Sequence, residues 1–157
     1  MSKIVVGVDG SEESSRALAW AADEARLRGL HLEVVYAFEH QPEWLRFSPP
    51  PALEGLAMEG IERSQAQPGA RSAEEMAREH ADALIRSMLA DNAAGDVAVT
   101  RTVADEQKPA PYLVDRSKDA ELLVVGSRGR GSVGSMLLGS VSTYCVHHAP
   151  CPVVVIK

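Results

Sequence analysis

Short apolar runs rich in β-branched residues alternate with stretches of helical periodicity along most of this chain, and few folds accommodate that order. Ile4 to Val8 is the first such run, as expected of a buried strand. Ser11 follows as an N-cap, with Glu12 and Glu13 in a first turn where the helix dipole favours acids. Leu18, Ala21, Ala22 and Ala25 then share one helical face, and Arg26 and Arg28 precede Gly29, a C-terminal stop. Leu32 to Phe38 reads as a second strand. Ser72 and Glu75 form a capping-box pair opening a second helix, on which Met76, His80, Leu84 and Met88 recur four apart. After Gly95, Val97 to Val103 alternates as a third strand. A helix starts near Pro109, tolerated with Pro111 in the first turn, and runs to Asp119. Glu121 to Gly126 is a fourth strand, Ser140 to His148 a short helix halted by Ala149 and Pro150, and Pro152 to Lys157 a fifth strand. Strands alternating with helices in this way predict a parallel sheet with helices on both faces, an α/β domain spanning residues 1–157.

The pattern lapses only between Gln41 and Gly69, which holds most of the prolines. It is expected to be a long loop, with a short helix around Leu53 to Arg63, and loops of that length are usually functional or mobile. At 157 residues and 45% hydrophobic composition, the chain is sized for one globular core. A net charge of −6 argues against nucleic-acid and membrane-surface partners, which need a basic face. The N-terminal "MSKIVVGVDG" lacks signal-peptide patterning, no apolar stretch reaches membrane-spanning length, and two cysteines suit a reducing compartment. These features predict a cytoplasmic protein.

The chemistry concentrates in "LLVVGSRGRGSVGSMLLGSVS", Leu122 to Ser142, where an apolar run opens into five glycines. A P-loop needs Lys directly after its last glycine, and Ser140 follows Gly139 instead. Gly129, Gly131 and Gly134 satisfy G-x-G-x-x-G, but the dinucleotide fingerprint belongs at the first βα turn with an acid about 20 residues on. No acid lies there. A third spacing joins Gly126, Gly129, Gly139 and Ser140: glycine, two residues, glycine, nine residues, glycine, serine. Gly126 ends a strand, where a side chain would block a ligand on the sheet edge, so Gly126→Ala is expected to abolish binding and leave the fold intact. Gly139 permits close backbone approach to a phosphate, and Ser140, Val141 and Ser142 offer N–H groups at a helix start, a ready anion site. Arg128 and Arg130 add charge nearby.

With these residues in view, the chain resembles the universal stress protein family over essentially its whole length. "IVVGVDGSEESSRAL", "LLVVGSRGRG", "LLGSVS" and "HHAPCPVVVI" carry the likeness, and the glycine spacing matches the signature of ATP-binding members. The resemblance implies an open, Rossmann-like five-stranded sheet ordered 3-2-1-4-5. It implies ATP along the carboxyl edge, with Mg2+ or Mn2+ carried on the phosphates and no metal ligand from protein side chains. Asp9 and backbone at Gly126 would reach the ribose, although an Asp after a strand is otherwise a turn former. Backbone at Ala37 would meet the adenine edge, with alanine leaving that wall incomplete. Gly129, Gly139, Ser140 and Val141 would hold the phosphates together with the Ser142 amide, and residues 130–138 would order over them, with Met136 to Leu138 as apolar anchor. The family also commonly dimerises through its last strand. An apolar edge is an association hazard unless paired, so Val153, Val154, Val155 and Ile156 are expected at a homodimer interface.

Three functions remain in play: a nucleotide-dependent regulatory switch read by a protein partner, a slow ATPase, and a stress dimer that binds no nucleotide. Efficient hydrolysis wants a positioned base near the γ-phosphate, and the signature supplies none. No G-x-S-x-G elbow supports nucleophilic catalysis, and Ser11 and Ser14 read as helix-start residues. Cys145, His147, His148 and Cys151 crowd together, but their spacing matches no common zinc pattern. The two histidines better suit a helix C-terminus. His80 is expected to be half-buried or at an interface, and Trp44 with Pro49 to Pro51 to pack locally.

Overall fold

The computed structural model describes residues 2–37, 73–91, 97–104, 107–129 and 138–157. The expected loop at 41–69, its short helix, Trp44, the Ser72 cap and residues 130–137, including Gly131 and Gly134, lie outside them. Strand β1 (Lys3–Gly7) leads into helix α1 (Glu12–Arg28) and strand β2 (His31–Ala37). Helix α2 (Ala73–Asp91) and strand β3 (Val99–Ala104) follow, then helix α3 (Pro109–Arg116) with a 3-10 turn at Ser117–Asp119. Strand β4 (Ala120–Gly126), helix α4 (Ser140–His148) and strand β5 (Val153–Ile156) complete the chain. All pairings are parallel, in the order β3-β2-β1-β4-β5.

Side-chain alternation sorts the core into two layers. On one face Ile4, Val6, Leu32, Val34, Leu122 and Val124 pack against α1 and against Ile85 and Met88 of α2. On the other, Val5, Val35, Leu123 and Val125 meet Leu113 of α3 and Cys145 of α4. The central strands β1 and β4 are apolar on both faces through their middles because both faces are covered.

Helix α1 follows its sequence closely. The Ser11 side chain accepts from the Ser14 amide, Gly29 ends the helix at φ 64°, and Leu18, Ala21, Ala22 and Ala25 are fully buried. Helix α2 departs from expectation: Met76 is 52% exposed and His80 is exposed, while Ala81, Ile85 and Met88 face the core. Residues four apart drift about 40° around a helix at each step. A run from Met76 to Met88 therefore leaves the sheet at one end, and His80 goes with it.

Candidate functional site

The strand order creates one position where consecutive connections depart in opposite directions. From β1 the chain moves outward to β2 and β3; from β4 it moves the other way to β5. In open parallel sheets, ligands lie in the crevice at the carboxyl ends of such strands. Asp9 lies just past the end of β1, and Gly126 to Gly129 run off the end of β4.

These two ends touch. A Cβ placed on Gly129 would overlap Asp9 Oδ2, so glycine there allows the loop to close on the carboxylate. The other oxygen, Asp9 Oδ1, accepts from the Ser11 amide at 2.9 Å and the Ser11 hydroxyl at 2.6 Å. The bond to the amide two residues on is the turn-forming role open to any aspartate. Asp9 thus braces the β1–α1 turn with one oxygen and presents the other toward Gly129.

Gly126 has a different neighbour from the one its spacing suggests. A Cβ on it would meet the Glu13 carbonyl carbon at 3.0 Å and the Ser14 nitrogen at 3.1 Å. The missing side chain makes room for the first turn of α1, so an alanine there presses on helix backbone as well as on the sheet edge.

Three described helix starts compete as anion sites, and their sequences separate them. In α1 the Ser11 side chain occupies the Ser14 amide, and Glu12 and Glu13 add negative charge. In α3, Pro109 and Pro111 have no N–H to offer. Helix α4 has Gly139 as N-cap, no capping side chain and no acid in its first turn. Its first intrahelical bond is Thr143 N to Gly139 O, 3.0 Å. The amides of Ser140, Val141 and Ser142 therefore precede the helical ladder, the geometry that suits an anion.

The Ser142 side chain points elsewhere. It is 1% exposed, and its hydroxyl donates toward Ser127 O and Gly139 O, each 3.0 Å away. On the far side, the last β1–β2 bond is Val8 N to Val35 O at 2.9 Å. By alternation the Ala37 amide and carbonyl face the same flank as Val35, two residues beyond that bond. A small planar ring with donor and acceptor edges suits that stretch of backbone. Ala37 pairs in register with Ala104 and packs against the apolar layer that holds Val35 and Leu113. The predicted Asp9, Gly129, Gly139, Ser140, Val141 and Ser142 lie together at the β1–β4 crevice, and Ala37 borders it two strands from β4.

Two groups stand apart from this crevice. Cys145 is fully buried, and burial, with a smaller push from Cys151, raises its thiol to about 11. His148 Nδ1 donates to Tyr144 O at 2.9 Å and its ring stacks on Tyr144. Among the described residues, no three His, Cys, Asp or Glu side chains are placed to hold a metal. No described helix is long and apolar enough to cross a membrane.

Sequence reasoning missed the buried carboxylate of Glu33 on β2. It accepts from Lys3 Nζ at 2.8 Å, Thr102 Oγ1 at 3.0 Å, and both Nε and Nη2 of Arg116. Burial pushes its carboxyl up, and the bonds from Lys3, Arg116 and Thr102 together hold it below the ordinary range. A lone acid amid β2's apolar residues was the available signal.

Comparison with known proteins fits this geometry. A universal stress protein from Mycobacterium tuberculosis is 36% identical over 160 residues, covering 98% of this chain and 45% of its own length. The chain thus spans less than half of that relative. A universal stress protein structure from Archaeoglobus fulgidus in complex with dAMP superposes with a TM-score of 0.62 at 23% identity, covering 100% of this chain and 98% of its own. A universal stress protein family structure from Arabidopsis thaliana with AMP bound gives 0.54 at 20% identity, covering 100% and 92%. The sequence pattern of the universal stress protein family matches residues 1–157, and the chain belongs to that family.

Proposed function

We propose that this protein is an ATP-binding regulator of the stress response that works as a nucleotide-dependent homodimeric switch. The observation that carries the proposal is the start of α4: three amides preceding the helical ladder, with no acid and no capping side chain, beside Asp9 at the switch point. The phosphates lie on the Ser140, Val141 and Ser142 amides and on backbone at Gly129 and Gly139, with Arg128 adding charge. Mg2+ or Mn2+ rides on their outer oxygens. The ribose meets Asp9 Oδ2 and backbone at Gly126, and the adenine edge meets backbone at Ala37. Adenine nucleotides bound to structures of similar fold support the ligand class.

Binding is favoured over turnover because the glycine signature supplies no base for the γ-phosphate and Asp9 is committed through Oδ1 to Ser11. Two protomers pair along Val153 to Ile156, and a protein partner in the cytoplasm reads the bound state. Thermal unfolding of nucleotide-stripped protein with and without millimolar Mg·ATP tests this. Ligand at 100 times its dissociation constant adds about 2.7 kcal/mol of stability. No shift would leave the nucleotide-free stress dimer standing, and ADP release during incubation would favour the slow ATPase.

A further inference from the structure

A helix start usually steadies itself in ways that spoil it for anions. An N-cap side chain consumes an amide, and a capping box places an acidic or amide side chain at the third helical position. Helix α4 does neither, yet its start is held firmly. The Gly139 amide donates to Ser127 O at 2.7 Å, and the Ser142 hydroxyl, at the third position, donates toward that same carbonyl and toward Gly139 O. The Ser127 amide in turn donates to Ile156 O at 2.6 Å. The N-cap amide, which a capping box would satisfy within the helix, is here held by the residue that follows β4, which is itself anchored to β5.

We propose that Ser142 is a positioning residue for the phosphate cradle. Its buried hydroxyl acts through the Ser127 and Gly139 carbonyls to hold the Ser140, Val141 and Ser142 amides in the orientation an anion needs. It does this without lending negative charge and without occupying one of those amides. The inference rests on the nucleotide reading above and assigns the Ser142 side chain a role distinct from that of its amide.

The arrangement makes the test clean. Without the hydroxyl, Ser127 O keeps the Gly139 amide and Gly139 O keeps the Thr143 amide. Ser142→Ala therefore removes the clasp and leaves no buried carbonyl without a donor. Mg·ATP affinity is measured by calorimetry on the stripped full chain for wild type, Ser142→Ala and Ser142→Thr, with unliganded melting temperatures alongside. The expected result is affinity about tenfold weaker in Ser142→Ala, an almost unchanged unliganded melting temperature, and recovery in Ser142→Thr, which restores the hydroxyl. Ser142→Ala binding within twofold of wild type would overturn the proposal. So would a folded Ser142→Thr as weak as Ser142→Ala, or failure of Ser142→Ala to fold, which would make the role structural. Absence of binding in the wild type would instead remove the nucleotide reading itself, and this proposal with it.

Discussion

Gly126 and Gly139 look alike in the glycine spacing and differ in what surrounds them. A methyl group on Gly126 presses on the Glu13 and Ser14 backbone at 3.0–3.1 Å, and helix backbone does not yield cheaply. Gly126→Ala should therefore cost about 1–3 kcal/mol as an overpacking change, and should weaken nucleotide binding by shifting the turn that holds Asp9. At Gly139 the nearest atoms to such a methyl are 3.5 Å away and φ is −76°, a conformation open to any residue. Gly139→Ala should cost less than about 1 kcal/mol, the difference between glycine and alanine at an N-cap. Any larger loss of Mg·ATP affinity then reports crowding of the ligand itself. Chemical denaturation paired with calorimetry on both variants separates the two effects.

Among the elements, β2 and α3 are joined by the Glu33 network, remote from the proposed cradle. The bonds from Lys3, Arg116 and Thr102 outweigh burial and lower the Glu33 carboxyl in the folded state. Its stabilisation is therefore complete above the unfolded glutamate range and is lost as pH falls through the lower folded value. Arg116→Met should destabilise the protein by about 1–2 kcal/mol at neutral pH, the lower part of the range for a charge-assisted bond, because the arginine side chain is 38% exposed. The deficit should narrow in acid. Urea midpoints for both proteins at about pH 7 and about pH 3 test this; a gap that persists unchanged in acid would mean that the arginine acts by packing alone.

At the scale of the whole molecule, β5 is one edge of the sheet, opposite β3. The bonds Leu123 N to Pro152 O and Ser127 N to Ile156 O show which β5 residues face β4. By alternation Val153 and Val155 turn their amides and carbonyls outward. Val155→Pro removes one outward donor and spares the β4 ladder, a substitution that edge strands tolerate. In the proposed homodimer it should convert dimer to monomer in sedimentation experiments while the protein stays folded. Retention of the dimer would place the interface elsewhere.

The sequence determined the alternation of strands and helices, the cap and stop of α1, and the span of α4 from Ser140 to His148, because periodicity and cap chemistry are local. The resemblance supplied the strand order. Only the folded chain decided what the glycines and acids do. Asp9 splits its two oxygens between a turn and the crevice because Gly129 arrives from 120 residues away. Gly126 makes room for α1, and Glu33 is tolerable in the core because Lys3, Thr102 and Arg116 come from three other elements. Helical spacing by fours misassigned Met76 to the buried face, since the face that becomes buried depends on where the sheet lies. A one-dimensional pattern carries local preference; which neighbour fills or empties the space beside a residue is set by contacts between distant segments.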